Sequence, residues 1–267
     1  MSNQKLTYED LNKFYQEKTG ISGRVQPLAE IYKWASQQPE IIINKDTSLS
    51  FIEKVEPVKS EPPMGLILPK PHISWSSMSC WNSSPARFRK EYFEAGEKLN
   101  TKYLRFGAGI AKLIEEGKHT ELLPDLVVCD SPEFEIRTTV CGVPILSYID
   151  SYDSINNVFR EYKTGKIPWT MAKVIKHGQL VFYATALKHS CGKIPEYCHL
   201  DWIETRETTD EEINDFWRDN EKTVKVTGKI KSFPREFDER EIEKMEELIV
   251  KSANEISEAY QDFLKEI

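Results

Sequence analysis

Small and apolar side chains recur in "YLRFGAGIAKLIEEGK" at positions 107, 108, 110, 111, 113 and 114. That spacing predicts a packed helix stopped by Gly117. Gly107 and Gly109 weaken it by about 1 kcal/mol each relative to alanine, which suggests close backbone packing. The pattern then shortens. Runs at about 133–140, 143–150 and 156–163 predict three strands in succession, the first two joined by a Gly-Val-Pro turn and the next two by "DSINN". A helix over about 170–188 follows, then a strand at 197–206. The order is helix, three strands, helix, strand.

Either side of this core the signals change. Thr7 and Asp10 open a short helix over 7–18 with a capping-box-like start, and a second helical run covers about 25–37. Five prolines (57, 62, 63, 69, 71) punctuate a linker or wrapping arm. In "WSSMSCWNSSPARFRKEYF", Ser76 or Ser77 is placed to cap one helix and Pro85 to begin another. After Thr208 a short acidic helix leads to a strand in "KTVKVTGKIKSF". A long helix from about Asp238 carries apolar residues at 242, 245, 249, 253, 256, 260 and 263. That one-sided stripe suits docking on its own domain or a dimer seam, with docking the commoner arrangement. The division is a helical extension and linker over 1–71, a core over 72–206 and a strand-plus-helix extension over 207–267. The fold class is α/β (α+β).

Composition narrows the chemistry. The chain of 267 residues, 39% hydrophobic and 30% charged, is long enough for a sizeable core, and its net charge of −7 restricts nucleic-acid binding to local patches. "MSNQKLTYED" lacks the apolar stretch of a secretory leader, and no run is long enough to span a bilayer, so a cytoplasmic setting is expected. The five cysteines (80, 129, 141, 191, 198) form no C-x-x-C pair and read as reduced thiols.

The candidate chemistry lies in "LSYIDSYDSINNVFREYKTGK". A turn near Ile155 and Asn156 sets Asp150 roughly opposite Glu161, about 5 Å apart on neighbouring strands. Glu161 and Lys163 then share a face and Tyr162 points away. Two such carboxylates repel unless a cation sits between them, and a hard divalent ion suits oxygen ligands. Lys163 is placed to orient or deprotonate a water, or to neutralise charge at phosphorus. The same residues also suit a surface hairpin with a cross-strand salt bridge.

"GVPILSYIDSYDSINNVFREYKTGK" resembles motifs II and III of the PD-(D/E)XK nuclease superfamily in its RecB-like branch. "HGQLVFYATAL" resembles the Q-x-x-x-Y motif of that branch, with Gln179 and Tyr183 on one helix face beside Lys176. "SWSSMSCWNSSPARFRKEYF" is similar to its amino-terminal serine-rich helix and "RFGAGIAKLIEEG" to its motif I helix. The resemblance covers about residues 72–206 and implies a restriction-endonuclease-like core. It implies Asp150 and Glu161 as metal ligands, the Tyr162 backbone carbonyl as another, and Lys163 as the catalytic lysine. Glu115 matches the motif I acid that adds a further ligand, with Glu116 as a substitute. Gln179 and Tyr183 contact DNA or steady the site. Ala111 stands where many relatives carry a histidine ligand, which points to the lambda-exonuclease-like form. Ser84 stands where a cluster-binding cysteine would be and no cysteine follows Cys198, so no iron–sulfur cluster is expected.

The implied activity is a Mg²⁺- or Mn²⁺-dependent DNA nuclease of phage or bacterial type, an exonuclease in recombination or processing. A recombination or single-strand-binding protein is a possible partner. The alternatives are a structure-specific or single-strand endonuclease and an inactive DNA-binding module of the same fold. Oligomeric state stays open. For DNA, Lys166, Lys173, Lys176, Lys188 and Lys193 lie in an acid-free stretch, as do basic residues 222, 225, 229, 231 and 235, with Arg87, Arg89, Lys90 and Arg105 as further candidates. Trp169 stacks on a base or, more commonly for such a residue, anchors its loop. His177 and His189 read as surface residues rather than as ligands.

Overall fold

The computed structural model describes residues 66–97, 100–209 and 223–267, together with the backbone of three short amino-terminal strands. The expected helices over 7–18 and 25–37, and the acidic helix after Thr208, lie outside the described residues. The amino-terminal unit contains β1 (Lys5–Leu6), β2 (Ile41–Ile43) and β3 (Leu49–Phe51) in an antiparallel sheet of order β1–β3–β2. Leu49 pairs with Leu6 on one side and Ile43 on the other. These strands were not anticipated in an extension read as helical.

The second unit is a mixed α+β fold on a five-stranded sheet. Its chain opens with α1 (Trp75–Ser83), α2 (Pro85–Phe88), a π-helical turn over Arg89–Phe93 and α3 (Lys102–Glu115). Ser74, rather than Ser76 or Ser77, caps α1. It accepts from the Ser77 N–H while Ser77 Oγ accepts from the Ser74 N–H, a reciprocal box that satisfies two end donors. Pro85 begins α2, where its missing N–H costs nothing.

Strands β4 (Ser131–Val140), β5 (Val143–Asp153), β6 (Val158–Gly165), β7 (Tyr197–Glu207) and β8 (Val224–Glu236) lie side by side in that order. Only β6 and β7 run parallel, joined through α4 (Met171–Ile175) and α5 (Gly178–Cys191). The single helix expected over 170–188 is therefore two. Trp75 presses on the start of α5, where a Cβ on Gly178 would stand 2.5 Å from its ring, so only glycine fits. The β4–β5 turn is Cys141–Gly142, both at positive φ (47° and 86°), and Val143 and Pro144 belong to β5. Two such residues give the twist a two-residue hairpin needs.

The carboxy-terminal helix α6 (Glu239–Glu266) is capped by Asp238 and lays Ile242, Met245, Ile249, Ala253 and Ile256 into the core. The stripe thus docks on its own domain, each large side chain contributing about 1.5–3 kcal/mol of burial. Tyr260 and Phe263 continue it onto Phe93. The main core includes Phe159, Phe182, Leu200 and Trp202 between the sheet and α1, α5 and α6. A second cluster joins α3 to the other face through Ile110, Ile114, Leu123, Leu126 and Ile203, with Tyr162 against it. No described helix is long and apolar enough to cross a membrane.

Strands β5 and β6 pair only from Asp153↔Val158 to Ser151↔Arg160, then part. Ile73 bridges to Ile145 of β5, donating to the Pro144 carbonyl at 2.8 Å and accepting from Leu146 at 3.0 Å. Because β4 occupies one side of β5 along its length, this bridge lies on the side that β6 has left.

Candidate active site

The candidate site stands where the sheet forks. Extending the register Ser151↔Arg160 by one places Asp150 opposite Glu161. The β4–β5 register, Pro132↔Ser151 and Phe134↔Ile149, brings Glu133 opposite Asp150 on the other side. Three acids from three adjacent strands thus fall in one row. Glu133 interrupts the pairing, with φ at 49° near the start of β4. A non-glycine residue held there stores of order 1–3 kcal/mol, as residues at functional sites often do.

Glu133 was missed by sequence reasoning. The signal was present: a two-residue Cys141–Gly142 turn counts back from Val143↔Val140 to Glu133↔Asp150. The expected strand bounds, 133–140 and 143–150, already align the two acids, whereas a turn centred in Gly-Val-Pro sets Asp150 opposite Ile136.

Charge and hydrogen bonding organise the row. Asp150 Oδ2 accepts from the Tyr162 N–H at 2.6 Å. That amide faces β5, and in an extended strand the carbonyl of the same residue leaves on the same side, toward Asp150. Glu161 is 2% exposed; its Oε1 accepts from Lys163 Nζ at 2.5 Å, and its Oε2 is buried without a hydrogen-bond partner among the described residues. Lys163 also donates to Gln179 Oε1 at 2.8 Å, and Gln179 Nε2 donates to the Tyr183 hydroxyl at 2.7 Å. Gln179 and Tyr183 come from successive turns of α5, so one helix face supports the lysine.

The titrating groups report crowding. Burial, then the charge of Glu161, lifts the Asp150 carboxyl well above its ordinary value against the pull of the Tyr162 N–H. Burial also raises Glu133, reinforced by Glu115 and Glu161. Burial works to lower Lys163, yet the charge and hydrogen bond of Glu161, with Asp150, leave it raised, an ammonium at neutral pH. Tyr183 is raised by burial and then by Glu161, so its phenol keeps its proton. Adjacent carboxylates, an orphaned oxygen and a carbonyl on the same side are oxygen donors that fit a hard divalent cation. The three acids do not form a group whose ligand oxygens all lie within 4.8 Å of one another. They therefore suit an ion that keeps part of its water shell.

Asp150, Glu161, Tyr162, Lys163 and Gln179 line a cleft of about 460 Å³ against Tyr103, Gly107 and Ala111 of α3. Gly107 permits a close approach: a Cβ there would stand 3.3 Å from Thr164 Oγ1. Gly109 faces open space, so close packing does not explain it. Lys166, with Tyr103 and Trp169, lines an adjoining depression of about 330 Å³.

Other expected site residues stand apart. Glu115 is exposed on the last turn of α3 and reaches the cluster through its field on Glu133. Glu116 is taken by Lys118 at 2.7 Å. Arg87 pairs with Glu91 at 2.6 Å, and Arg105 reaches the Asn100 carbonyl at 3.4 Å. Lys176 lines a different depression with Arg235, Glu241 and Lys244. Arg235, 5% exposed, is bound to Glu241 at 2.8 Å. On the edge strand β8, Lys229 pairs with Glu204 at 3.3 Å, consistent with lysines guarding an edge.

His177, expected at the surface, is half-buried. Its ring lies 4.9 Å from Trp169 and 6.5 Å from Trp75, and burial followed by the Lys163 charge lowers its pKa to about 4. Trp169 thereby anchors its loop.

No protein-family model matches the chain, and no curated protein matches it in sequence. Among solved structures it is similar to a phage related exonuclease from Haemophilus somnus 129PT, with 14% identity, TM-score 0.41, and 72% of this chain and 81% of that chain covered. It is also similar to an alkaline exonuclease from Laribacter hongkongensis, with 13% identity, TM-score 0.41, and coverage of 73% and 93%. Likeness of this degree decides nothing about function, which the side-chain geometry has to carry.

Proposed function

We propose that the chain is a divalent-metal-dependent nuclease that hydrolyses DNA phosphodiester bonds, acting as an exonuclease in recombination or processing. The observation that carries this reading is the row Glu133, Asp150 and Glu161 across the fork, with Lys163 hydrogen-bonded to its buried end. Asp150, Glu161 and the Tyr162 carbonyl are the residues to hold Mg²⁺ or Mn²⁺, with Glu133 and the field of Glu115 beside them. An ion bound there supplies Lewis-acid polarisation of the phosphate and lowers the pKa of water.

The protein's own side chains do the rest. Lys163, kept as an ammonium, steadies negative charge that builds on the phosphate. Gln179 fixes the lysine's direction, and Tyr183, 7% exposed, fixes Gln179 from below rather than touching DNA. Lys166 at the adjoining depression meets the phosphate backbone, which gives sequence-independent, salt-sensitive binding.

End-labelled linear and closed circular DNA, single- and double-stranded, incubated with and without Mg²⁺, tests the proposal. Linear ends are expected to shorten only with the ion, while circles survive. Cut circles would make the enzyme an endonuclease. Equal cleavage by Asp150→Ala and Lys163→Ala protein would remove the site from the chemistry.

A further inference from the structure

A second group of potential ligands sits away from the fork. The β4–β5 hairpin tip, the last turn of α5 and the first third of α6 bring Cys141, His189 and Glu246 together, one ligand atom from each lying within 4.8 Å of the others. Among the described residues this is the group of three or more such side chains that closes to that distance. Cys141 is exposed and is not disulfide-bonded, and its backbone is held at φ 47° by the tight turn. His189 Nε2 stands 2.8 Å from Glu246 Oε1. Cys141 lies at the far end of β4 from Glu133, so the two sites share no residue.

The donor set differs in kind from the acids at the fork. One sulfur, one imidazole nitrogen and one carboxylate oxygen match the borderline-soft preference of zinc-class ions, whereas Mg²⁺ seeks oxygen alone. Three protein donors leave a fourth tetrahedral position for water. Lys188 Nζ lies 3.2 Å from both Glu246 Oε1 and Glu239 Oε2. It can keep Glu239 when Glu246 turns to an ion.

We propose that Cys141, His189 and Glu246 form a binding site for a zinc-class divalent cation that ties the hairpin tip and α5 to the carboxy-terminal helix. Binding takes Cys141 as the thiolate and His189 through the unprotonated Nε2, so protons are released to solvent. The ion joins segments that are more than a hundred residues apart at the extremes, 141 and 246. Its effect is therefore on how firmly α6 is held.

The test uses the full chain, stripped with a chelator and held in excess Mg²⁺ so that hard-ion sites are filled. Cobalt(II) is titrated in and its absorbance followed. One equivalent should produce a sulfur-to-cobalt charge-transfer band with the visible spectrum of a four-coordinate ion, and added zinc should erase it. Cys141→Ser should lose the charge-transfer band. His189→Gln and Glu246→Gln should each weaken binding at least tenfold. Zinc should raise the thermal midpoint of the wild type and leave that of Cys141→Ser unmoved. The proposal is overturned if no charge-transfer band appears at one equivalent. It is equally overturned if the band persists in Cys141→Ser, which would assign it to another cysteine.

Discussion

Two ion pairs start one residue apart on β6. Arg160 meets Asp201 at 2.7 Å and Lys163 meets Glu161 at 2.5 Å, and in each pair the acid's side chain is 2% exposed. Each acid also has one buried oxygen without a partner among the described residues. Side chains alternate along a strand, so the pairs face opposite sides of the sheet. Arg160 answers its acid alone across β6–β7. Lys163 answers an acid that shares the fork with Asp150 and feels the charge of Glu133, and Glu161 and Asp150 line a cleft. A buried ion pair is thus weak evidence of function; an excess of one sign beside a cavity is better evidence.

That contrast can be broken by exchanging the damage. Lys163→Ala should lower the rate of DNA hydrolysis about 10²–10³-fold with the folded structure kept. Asp201→Ala leaves the partly buried Arg160 unanswered, and should cost about 3 kcal/mol of stability in urea denaturation, with the rate per folded molecule near wild type. A comparable rate loss in folded Asp201→Ala would erase the distinction between the two faces.

Smaller effects sharpen it. Glu133→Gln should weaken Mn²⁺ binding about 10–100-fold by calorimetry, the usual range for a supporting partner of a metal site. Unchanged affinity would take Glu133 out of the row. Asp150 has its folded pKa raised, so its contribution to the stability of the metal-free protein is present at low pH and is lost as pH climbs through that raised value. Asp150→Asn in chelator should therefore melt higher than wild type at neutral pH, by about 2–4 °C for each kcal/mol gained, and the advantage should shrink on acidification. Divalent-ion affinity of the wild type should fall over the same descent. Least of all, Lys166→Ala should reduce the salt slope of DNA binding by about 1, while Lys229→Ala, its ammonium held by Glu204, leaves the slope alone.

How much of this was legible depended on how local each signal was. Asp150 opposite Glu161 needed only the turn through "DSINN", and the strand pairing runs in that register up to Ser151↔Arg160, one residue short of the two acids. Glu133 needed the neighbouring turn placed to the residue, at Cys141–Gly142 rather than in Gly-Val-Pro. The break between α4 and α5 falls at Lys176–His177, and the one local sign of it in "MAKVIKHGQLVF" is Gly178, whose need to be glycine comes from Trp75, a hundred residues earlier. His177 looked like any polar residue near a helix start, since one of the two indoles against it, Trp75, comes from a hundred residues earlier and the other, Trp169, from the preceding loop.

Ile73 holds the lane beside β5 with two main-chain hydrogen bonds, at 2.8 and 3.0 Å. Strands β5 and β6 cannot zip together over that stretch while the preceding segment stays in place, so the gap is built into the native state and need not be opened at every turnover. Substitutions in the walls of the gap should then alter what enters it, whereas loss of the Ile73 bridge should change the spacing between the strands themselves.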